Sequence, residues 1–300
     1  MYIAYLQLAL SMAFVGINIA VGKEVVREVP VFLFSEIRFL IALLILGTIL
    51  TARKEWRCSL RPKNWLSLFW QAFFGVFLFS VCMLYGVKMT TAAAAGIISS
   101  TVPACIALLS LFLLKEKLTR NNVAAVCLSV LGVALVTFSK DGSEPGSAHA
   151  LGILLVFLAV VAEALFTIYA KKLSGRLTPF QMATGVNAIG FILFLPLALW
   201  DLSRFSLAGI HAQTWGLIVY YAVTASVLSF TLWYLGVKKV PAAIAGLFTG
   251  MMPISAAISS ALFLHEAFTW LHALGMLLVL CAIAAGTRHE KKLQTIRGNG

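Results

Sequence analysis

Long apolar runs, separated by short polar or charged breaks, follow one another along the whole chain. Each run has about 20 residues, the length that crosses the hydrocarbon core of a bilayer as an α-helix. The pattern predicts ten membrane-spanning helices joined by short connections. Their expected ranges are 2–22, 30–52, 64–87, 91–114, 120–138, 150–171, 178–200, 213–236, 240–264 and 268–287.

Composition supports the same class of protein, because 61% of the residues are hydrophobic and only 11% are charged. About 100 residues remain for all loops and both ends, which is too few for a separate soluble domain of ordinary size. The five cysteines show no metal-ligand spacing. Any function must therefore lie among the helices, and we expect no metal and no cofactor.

Positive charge is distributed along the chain as an orientation signal. The formal net charge is +12, but the basic residues form no single face of the kind that binds nucleic acid, so we expect no nucleic-acid partner. If the predicted helices alternate in direction, 17 of the 23 lysines and arginines fall on one side of the membrane and 5 on the other. Since basic loops stay in the cytoplasm, we expect a bacterial inner-membrane protein with both termini in the cytoplasm.

The two halves of the chain resemble each other. Shifting 86–119 by 150 positions pairs 12 identical residues in 34, among them Pro103 with Pro253 and Glu116 with Glu266. Because each half has an odd number of helices, the second enters the membrane in the opposite sense, as in many secondary transporters. The expected units are a first repeat at 1–138, a Gly-, Ser- and Pro-containing linker at 139–149, a second repeat at 150–287 and a basic cytoplasmic tail at 288–300.

A proline lies near the middle of the fourth and ninth predicted spans. Pro103 and Pro253 have no amide proton to donate to the carbonyl four residues before them. The carbonyls of Ser99 and Thr249 then need a hydroxyl, a water or a ligand in its place. A packed kink and the wall of a polar cavity both meet this need, and in either case the two prolines are candidate hinges.

Ionisable residues inside membrane helices are costly and usually functional. Glu163 lies deepest, in the sixth predicted span, and is the leading candidate for an amine or proton site; a carboxylate that fixes helix packing is the alternative. Glu36 and Arg38 lie two residues apart on the second span and so on nearly opposite faces. The sequence does not decide which of them faces the interior. Arg38 is the candidate partner of a substrate carboxylate.

Uncharged polar residues form stripes on several predicted helices at helical spacing. Each stripe alone fits hydrogen bonding between helices as well as a cavity wall, but several together favour a shared polar interior. The sequence thus predicts an all-α membrane protein with ten transmembrane helices, arranged as two inverted five-helix repeats around a central cavity. Besides Glu163 and Arg38, the expected substrate-binding residues are Asn18, Gln71, Tyr85, Ser99, Asn187, Tyr220 and Thr249.

The motifs of common enzyme classes are missing from the sequence. The chain has no His-Glu-x-x-His, no Gly-x-Ser-x-Gly and no phosphate-binding Gly-Lys-Ser/Thr motif. We therefore expect a protein that is not an enzyme. A membrane-embedded transferase, the alternative from that class, would need a reactive group of residues at one face that the sequence does not contain.

Several segments carry a resemblance to a known family. The runs Leu-Gly-Val-Lys-Lys-Val-Pro-Ala-Ala-Ile-Ala-Gly at 235–246, Leu-His-Glu-Ala-Phe-Thr at 264–269 and Ile-Arg-Phe-Leu at 37–40 resemble EamA proteins of the drug/metabolite transporter superfamily. The resemblance covers almost the whole chain. It implies two inverted repeats around a central cavity and export of amino acids or related metabolites, with a similarity to exporters of the YddG type. The family's pre-helix glutamate matches Glu116 and Glu266, for which we expect a structural role at a helix end.

Together these patterns predict a secondary transporter that exports a small metabolite by alternating access. Aromatic or hydrophobic amino acids are the leading expected substrates. The other expected partners are the lipid bilayer and, as a coupling ion, protons. The alternative is a broad drug or nucleotide-sugar exchanger, which would require more intramembrane Lys or Arg than the single Arg38.

Overall fold

The computed structural model describes residues 1–55, 62–89, 98–138, 149–263 and 270–298. Over these ranges the chain forms ten helices, one for each predicted span. They are α1 (Tyr2–Val25), α2 (Val31–Ala52), α3 (Pro62–Ala72 and Phe79–Met89, joined by the π-helical Phe73–Leu78), α4 (Val102–Leu113), α5 (Arg120–Phe138), α6 (His149–Leu173), α7 (Pro179–Leu202), α8 (Ala212–Tyr221 and Phe230–Val237, joined by the π-helical Ala222–Ser229), α9 (Ala242–Leu247 and Met251–Phe263, joined by the 3-10 turn Phe248–Gly250) and α10 (Trp270–Gly298).

Length and hydropathy make this a multi-pass membrane protein. Eight of the described helices are long and apolar enough to cross a bilayer, and α4 and α5 are apolar but shorter. Helices suit this environment because, apart from their ends, their backbone polar groups bond to one another within the helix. Most of the expected linker, at 139–148, lies outside the described residues. Residues 288–298, expected as a tail, continue α10 as helix, since nothing in their sequence breaks a helix before the glycine at its end.

Local signals set the helix ends. At the start of α7 the Thr178 hydroxyl accepts a hydrogen bond from the Gln181 amide at 3.2 Å, and the Gln181 side chain accepts one from the Thr178 amide at 2.9 Å. This capping box satisfies two of the amides that a helix start leaves without partners. Lys54 and Lys115 follow the ends of α2 and α4 with φ angles of 54° and 56°, a left-handed conformation that stops a helix.

The packing of the helices repeats between the two halves. α2 packs along α7, and α5 packs along α10, so each of these helices contacts its own counterpart in the other repeat. α1 packs against α8 and α9, and α6 packs against α3 and α4 in the same way. If a two-fold axis relates the two halves, every contact between a helix of one repeat and a helix of the other must recur between their counterparts. Because each half contributes five helices, an odd number, the fold is a pair of five-helix repeats that are inverted relative to each other.

Two unusual features recur at equivalent places in both repeats. π-helical stretches are rare, yet Phe73–Leu78 and Ala222–Ser229 occupy matching positions in α3 and α8. Gly86 and Gly236 also match. A Cβ on Gly86 would lie 3.2 Å from a backbone oxygen of α6, and one on Gly236 would lie 3.0 Å from a backbone oxygen of α1. The same close crossing of helices is thus built twice.

Charged side chains hold the connection between α8 and α9. The Glu116 carboxylate accepts hydrogen bonds from the amides of Ala242, at 2.9 Å, and Ala243, at 3.3 Å, at the first turn of α9. The Lys171 ammonium donates to the carbonyl of Val237, at 2.9 Å, at the end of α8. An anion at the start of a helix and a cation at its end both interact favourably with the helix dipole. Glu116 thus has the helix-end role expected for it, and Glu266 lies outside the described residues.

The first turn of α8 is held in a similar way by Glu28, which lies between α1 and α2. Its carboxylate accepts hydrogen bonds from the Thr214 hydroxyl and, at 2.8 Å, from the His211 amide. These hydrogen bonds, that of Thr214 first and that of the His211 amide next, lower the pKa of Glu28 below its ordinary value. The charged carboxylate therefore stabilises the folded protein, and the size of this contribution depends on pH.

We expect this contribution to vanish in acid. Because the folded-state pKa of Glu28 is lowered, the contribution is complete above the unfolded-state pKa, about 4.3, and is lost as the pH falls through the folded-state value. In detergent, Glu28→Gln should melt at a lower temperature than the wild type at pH 7, and the two melting temperatures should converge towards pH 3. Glu24→Gln, which removes an exposed ion pair with Arg27, should change little at any pH. A difference between Glu28→Gln and the wild type that persists unchanged to pH 3 would contradict the assignment.

Candidate functional site

A cavity of about 240 Å³ is bounded by side chains from both repeats. They come from α1, α2, α3, α4, α5, α6, α8 and α9. Because one water molecule requires only about 10–15 Å³ of such space, the cavity has room for a solute of several heavy atoms. The cavity corresponds to the shared interior that the sequence predicts between the helices.

Helices α4 and α9 are both interrupted at the cavity. A turn at residues 100–101 precedes α4, and the 3-10 turn Phe248–Gly250 divides α9. Pro103 and Pro253 each lie in the first turn of the helix that follows the break. A proline is tolerated there, because amides of the first turn have no intrahelical acceptor. Both prolines line the cavity, so the breaks lie at the depth where a solute would bind.

Threonine hydroxyls satisfy carbonyl groups beside both breaks. Thr101 donates to the carbonyl of Ile98 at 2.6 Å, and Thr249 donates to that of Gly246 at 2.7 Å. Ser99 and Thr249 both line the cavity. The irregular backbone therefore borders a cavity and carries its own hydrogen-bond partners, as non-helical backbone at membrane depth must.

Arg38 reaches the cavity from α2. One guanidinium nitrogen, Nη1, donates a hydrogen bond to the Ser226 hydroxyl at 2.9 Å. The guanidinium carbon lies 4.2 Å from the centre of the Phe39 ring and 5.5 Å from that of Tyr221, within the range of cation–π attraction. Within the described part of the chain, no acidic side chain pairs with Arg38. Among the described residues, the guanidinium of Arg38 thus lacks a negatively charged partner.

Glu163 reaches the same cavity from α6. None of the described residues forms a hydrogen bond or an ion pair with its carboxyl group. Its neighbours one turn along α6 are Phe166, which also lines the cavity, and Thr167, which is fully buried. An acidic and a basic side chain therefore line one cavity, and the described residues leave hydrogen-bonding positions on both open to a solute.

Glu36 lies on the other side of α2. It shares a helical face with Phe32 and Phe39, whose rings contact Phe194 of α7 at centroid distances of 6.1 and 5.9 Å. Glu36 does not line the cavity. Among the described residues, neither of its buried carboxyl oxygens has a hydrogen-bond partner. Of the two ionisable residues on α2, Arg38 is therefore the one that faces the cavity.

Three of the expected substrate-binding residues bind neighbouring helices instead of the cavity. Asn18, Gln71 and Asn187 are all buried, and their side-chain amides donate hydrogen bonds to α8 from α1, α3 and α7. The acceptors are, in the same order, Thr224 Oγ1 at 2.9 Å, Tyr234 Oη at 3.1 Å and Ser226 O at 3.0 Å. In this structure the three side chains thus form interhelical hydrogen bonds, one of the two roles that the sequence had left open.

The structure also places Tyr85 and Tyr220 outside the cavity, with 49% and 40% of their surfaces exposed. The stripes that indicated them run from Gln71 to Tyr85 on α3 and from Tyr220 to Tyr234 on α8, and they assume a regular α-helix. Each stripe crosses a π-helical stretch, whose wider turn changes the angular position of every later residue relative to every earlier one. On α8 it is the next residue, Tyr221, that lines the cavity.

Aromatic side chains that the sequence did not single out form much of the cavity wall. Phe166, Tyr221, Phe230 and Trp233 all line it. The Phe166 and Phe230 rings lie 6.0 Å apart. Trp233 is only 1% exposed, and no described residue accepts a hydrogen bond from its indole nitrogen. Because the sequence is rich in phenylalanine, it does not distinguish the rings that line the cavity from those that face lipid.

A pair of serines closes the wall between α1 and α8. The Ser11 hydroxyl donates to the carbonyl of Ser229 at 2.8 Å, and the Ser229 hydroxyl donates to the carbonyl of Ser11 at 3.0 Å. Over the described ranges, no three His, Cys, Asp or Glu side chains cluster as metal ligands. The chemistry of the site is that of a binding cavity with one guanidinium, one carboxyl group and aromatic walls.

Comparisons with known proteins agree with this architecture. The EamA-like transporter family matches residues 2–138 and 150–286. The Bacillus subtilis (strain 168) protein named uncharacterized transporter YetK is 43% identical over 281 residues, which cover 93% of this chain and 85% of that protein. An uncharacterized transporter of Archaeoglobus fulgidus is 27% identical over 93% of this chain and 96% of its own length. A crystal structure with 17% identity superposes with a TM-score of 0.79, covering 95% of this chain and 97% of the other, and so has the same fold. The chain belongs to the EamA-like transporter family.

Proposed function

We propose that this transporter exports amino acids, chiefly those with aromatic or hydrophobic side chains, across the bacterial inner membrane by alternating access. The observation that carries the proposal is that Arg38 and Glu163 line one cavity and that neither has an oppositely charged partner among the described residues. Burial of an unpaired charge is costly. A zwitterion that brings a carboxylate to Arg38 and an ammonium to Glu163 would remove both costs at once.

The hydrogen bonds of Arg38 fit a carboxylate ligand. Within the described chain only Nη1 of the guanidinium has a hydrogen-bond partner, the Ser226 hydroxyl. The remaining N–H groups are free to form the two parallel hydrogen bonds with which arginine binds a carboxylate. Phe166, Phe230 and Trp233 then supply apolar surface for the side chain of the substrate. These features favour an amphipathic amino acid.

The charges of the cavity also weigh against the alternative substrates. A nucleotide sugar carries at least two negative charges, whereas Arg38 is the single basic residue among those that line the cavity. A lipophilic cation would use Glu163 and leave the guanidinium buried without an anion, which is unfavourable. Broad drug exchange and nucleotide-sugar exchange therefore rank below amino-acid transport.

Alternating access would follow from the inverted repeats, because two such halves can exchange conformations. Pro103 and Pro253, at the breaks of α4 and α9, are the proposed hinges. The excess of basic residues in alternate loops supports a location of both termini in the cytoplasm, and protons, carried by Glu163, are the proposed coupling ion.

Reconstitution in liposomes tests the proposal directly. We expect purified protein to mediate saturable flux of labelled phenylalanine, tryptophan or leucine, and an imposed pH gradient to change its rate. Charged amino acids should be transported poorly, because they bring a third charge to a site that offers two. Protein-free liposomes are the control. Flux of lipophilic cations with no flux of any amino acid would contradict the proposal.

A further inference from the structure

We infer that Ser226 is a positioning residue, which holds the Arg38 guanidinium in the orientation that receives the substrate carboxylate. The inference rests on the proposed function, in which Arg38 binds that carboxylate. Ser226 does not itself line the cavity. Its side chain is fully buried, and its hydroxyl accepts a hydrogen bond from Arg38 Nη1 at 2.9 Å.

Ser226 is itself held in place from a third helix. Its carbonyl oxygen accepts a hydrogen bond from the Asn187 side chain of α7 at 3.0 Å. Asn187 is fully buried and also donates to the carbonyl of Ala183 in its own helix, at 2.8 Å. The contacts run from α7 through α8 to α2. Arg38 is therefore oriented by a continuous set of hydrogen bonds that begins at a fully buried side chain, although an arginine on its own is flexible.

The π-helical stretch of α8 explains why two residues of this helix reach Arg38. Tyr221 and Ser226 are five positions apart, which would put them on different faces of an α-helix. In a π-helix the backbone hydrogen bonds join residues five apart, so these positions come to the same side. The Tyr221 ring lies 5.5 Å from the guanidinium and meets the Phe34 ring of α2 edge-on at 4.9 Å. The π-helical stretch thus brings two side chains of α8, Tyr221 and Ser226, into contact with the Arg38 guanidinium.

The chemistry of the support matters as much as its geometry. A serine hydroxyl can accept a hydrogen bond from the guanidinium without neutralising it, whereas an acid in the same place would form an internal ion pair. Arg38 is consequently oriented and still positively charged. Such a site should distinguish a carboxylate from a neutral group of the same shape, because hydrogen bonds between ions are stronger than those to neutral groups.

Phenylalanine and phenylalaninamide are suitable probes at a pH low enough for both α-amines to be protonated, because they then differ only in the group that faces Arg38. We would measure the binding of each to the purified full-length protein by calorimetry, and the inhibition of phenylalanine flux by each in liposomes. The wild type should prefer phenylalanine by about tenfold or more. In Ser226→Ala the preference should fall to about threefold or less, through a higher KM for phenylalanine with little change in maximal rate. Ser226→Thr, which keeps the hydroxyl, should restore the preference.

The matched control is Ser110→Ala. Ser110 is as fully buried as Ser226, but its hydroxyl donates to the carbonyl of Ala107 in its own helix. This variant should keep the preference for phenylalanine. If Ser226→Ala does not fold, Ser226→Cys repeats the test with a nearly isosteric side chain whose sulfur is a weak acceptor.

The outcomes separate the inference from the proposed function. A wild type that prefers phenylalanine, with a Ser226→Ala variant that is equally selective or weakens both probes alike, overturns the inference alone. A wild type that binds neither probe, or binds both equally, overturns the carboxylate-binding role of Arg38 and with it the inference. Loss of preference in Ser226→Ala and its return in Ser226→Thr supports the inference.

Discussion

Glu163→Gln should reduce the transport of neutral amino acids by at least about 30-fold in kcat/KM, because truncating one member of a buried charge pair costs about 2 kcal/mol or more. The change keeps the shape of the side chain and removes its charge. No described residue binds the Glu163 carboxyl group, so the substitution removes no hydrogen bond within the described part of the chain. Liposome flux measures the loss of transport, and thermal melting in detergent should show an unchanged structure.

Glu36→Gln is the matched control for this experiment. It makes the same substitution at a second intramembrane carboxyl group, which is buried and lies away from the cavity. It should leave the flux close to that of the wild type. Equal flux in Glu163→Gln and the wild type would remove Glu163 from the binding site, and an equal loss in both variants would indicate a general effect of losing an intramembrane acid.

The largest effect on stability is expected at Gly16, where α1 crosses α9. A Cβ on Gly16 would lie 2.2 Å from the carbonyl oxygen of Met252 and 2.0 Å from the Ser255 hydroxyl. The backbone oxygen cannot move aside as a flexible side chain can. Gly16→Ala should therefore force the two helices apart and destabilise the protein by about 3 kcal/mol or more, at the upper end of overpacking costs.

Gly47→Ala is the matched control, because it adds the same single carbon to a glycine of α2 that has no neighbouring atom within 4 Å of the new position. It should be neutral or slightly stabilising, by up to about 1 kcal/mol, since alanine favours the helix. Melting temperature and the yield of monodisperse protein after size exclusion in detergent measure both variants. Equal melting temperatures for the two variants would show that α1 and α9 are not as close as described.

The sequence was most informative where a physical constraint acts on each residue separately. A bilayer of given thickness requires a given length of apolar helix, so the class of protein and its ten helices could be predicted from hydropathy alone. Family membership followed from ordered motifs and is confirmed by matches to both halves of the chain. Charge inside a membrane is rare because it is costly, which is why Arg38 and Glu163 stood out and why the structure finds both on the cavity.

Uncharged polar residues gave a weaker signal, because their cost can be met by any neighbouring helix. Ser99 and Thr249 line the cavity, whereas Asn18, Gln71 and Asn187 join helices to one another. A polar side chain is equally polar whether it lines the cavity or bonds to a neighbouring helix. Only the position of the partner separates the two roles, and a partner about 40 to 200 residues away is not visible in the helix that carries the amide.

The sequence by itself determined that the chain lies in a membrane, that it is built twice over in opposite senses, and which two charged residues must be accommodated inside it. Only the tertiary structure decided which faces of α3 and α8 meet the cavity. The physical reason is that α3 and α8 are not uniform α-helices: the turns at Phe73–Leu78 and Ala222–Ser229 shift the angular positions of their side chains. That shift, stabilised by packing between helices, brings Tyr221 and Ser226 to Arg38.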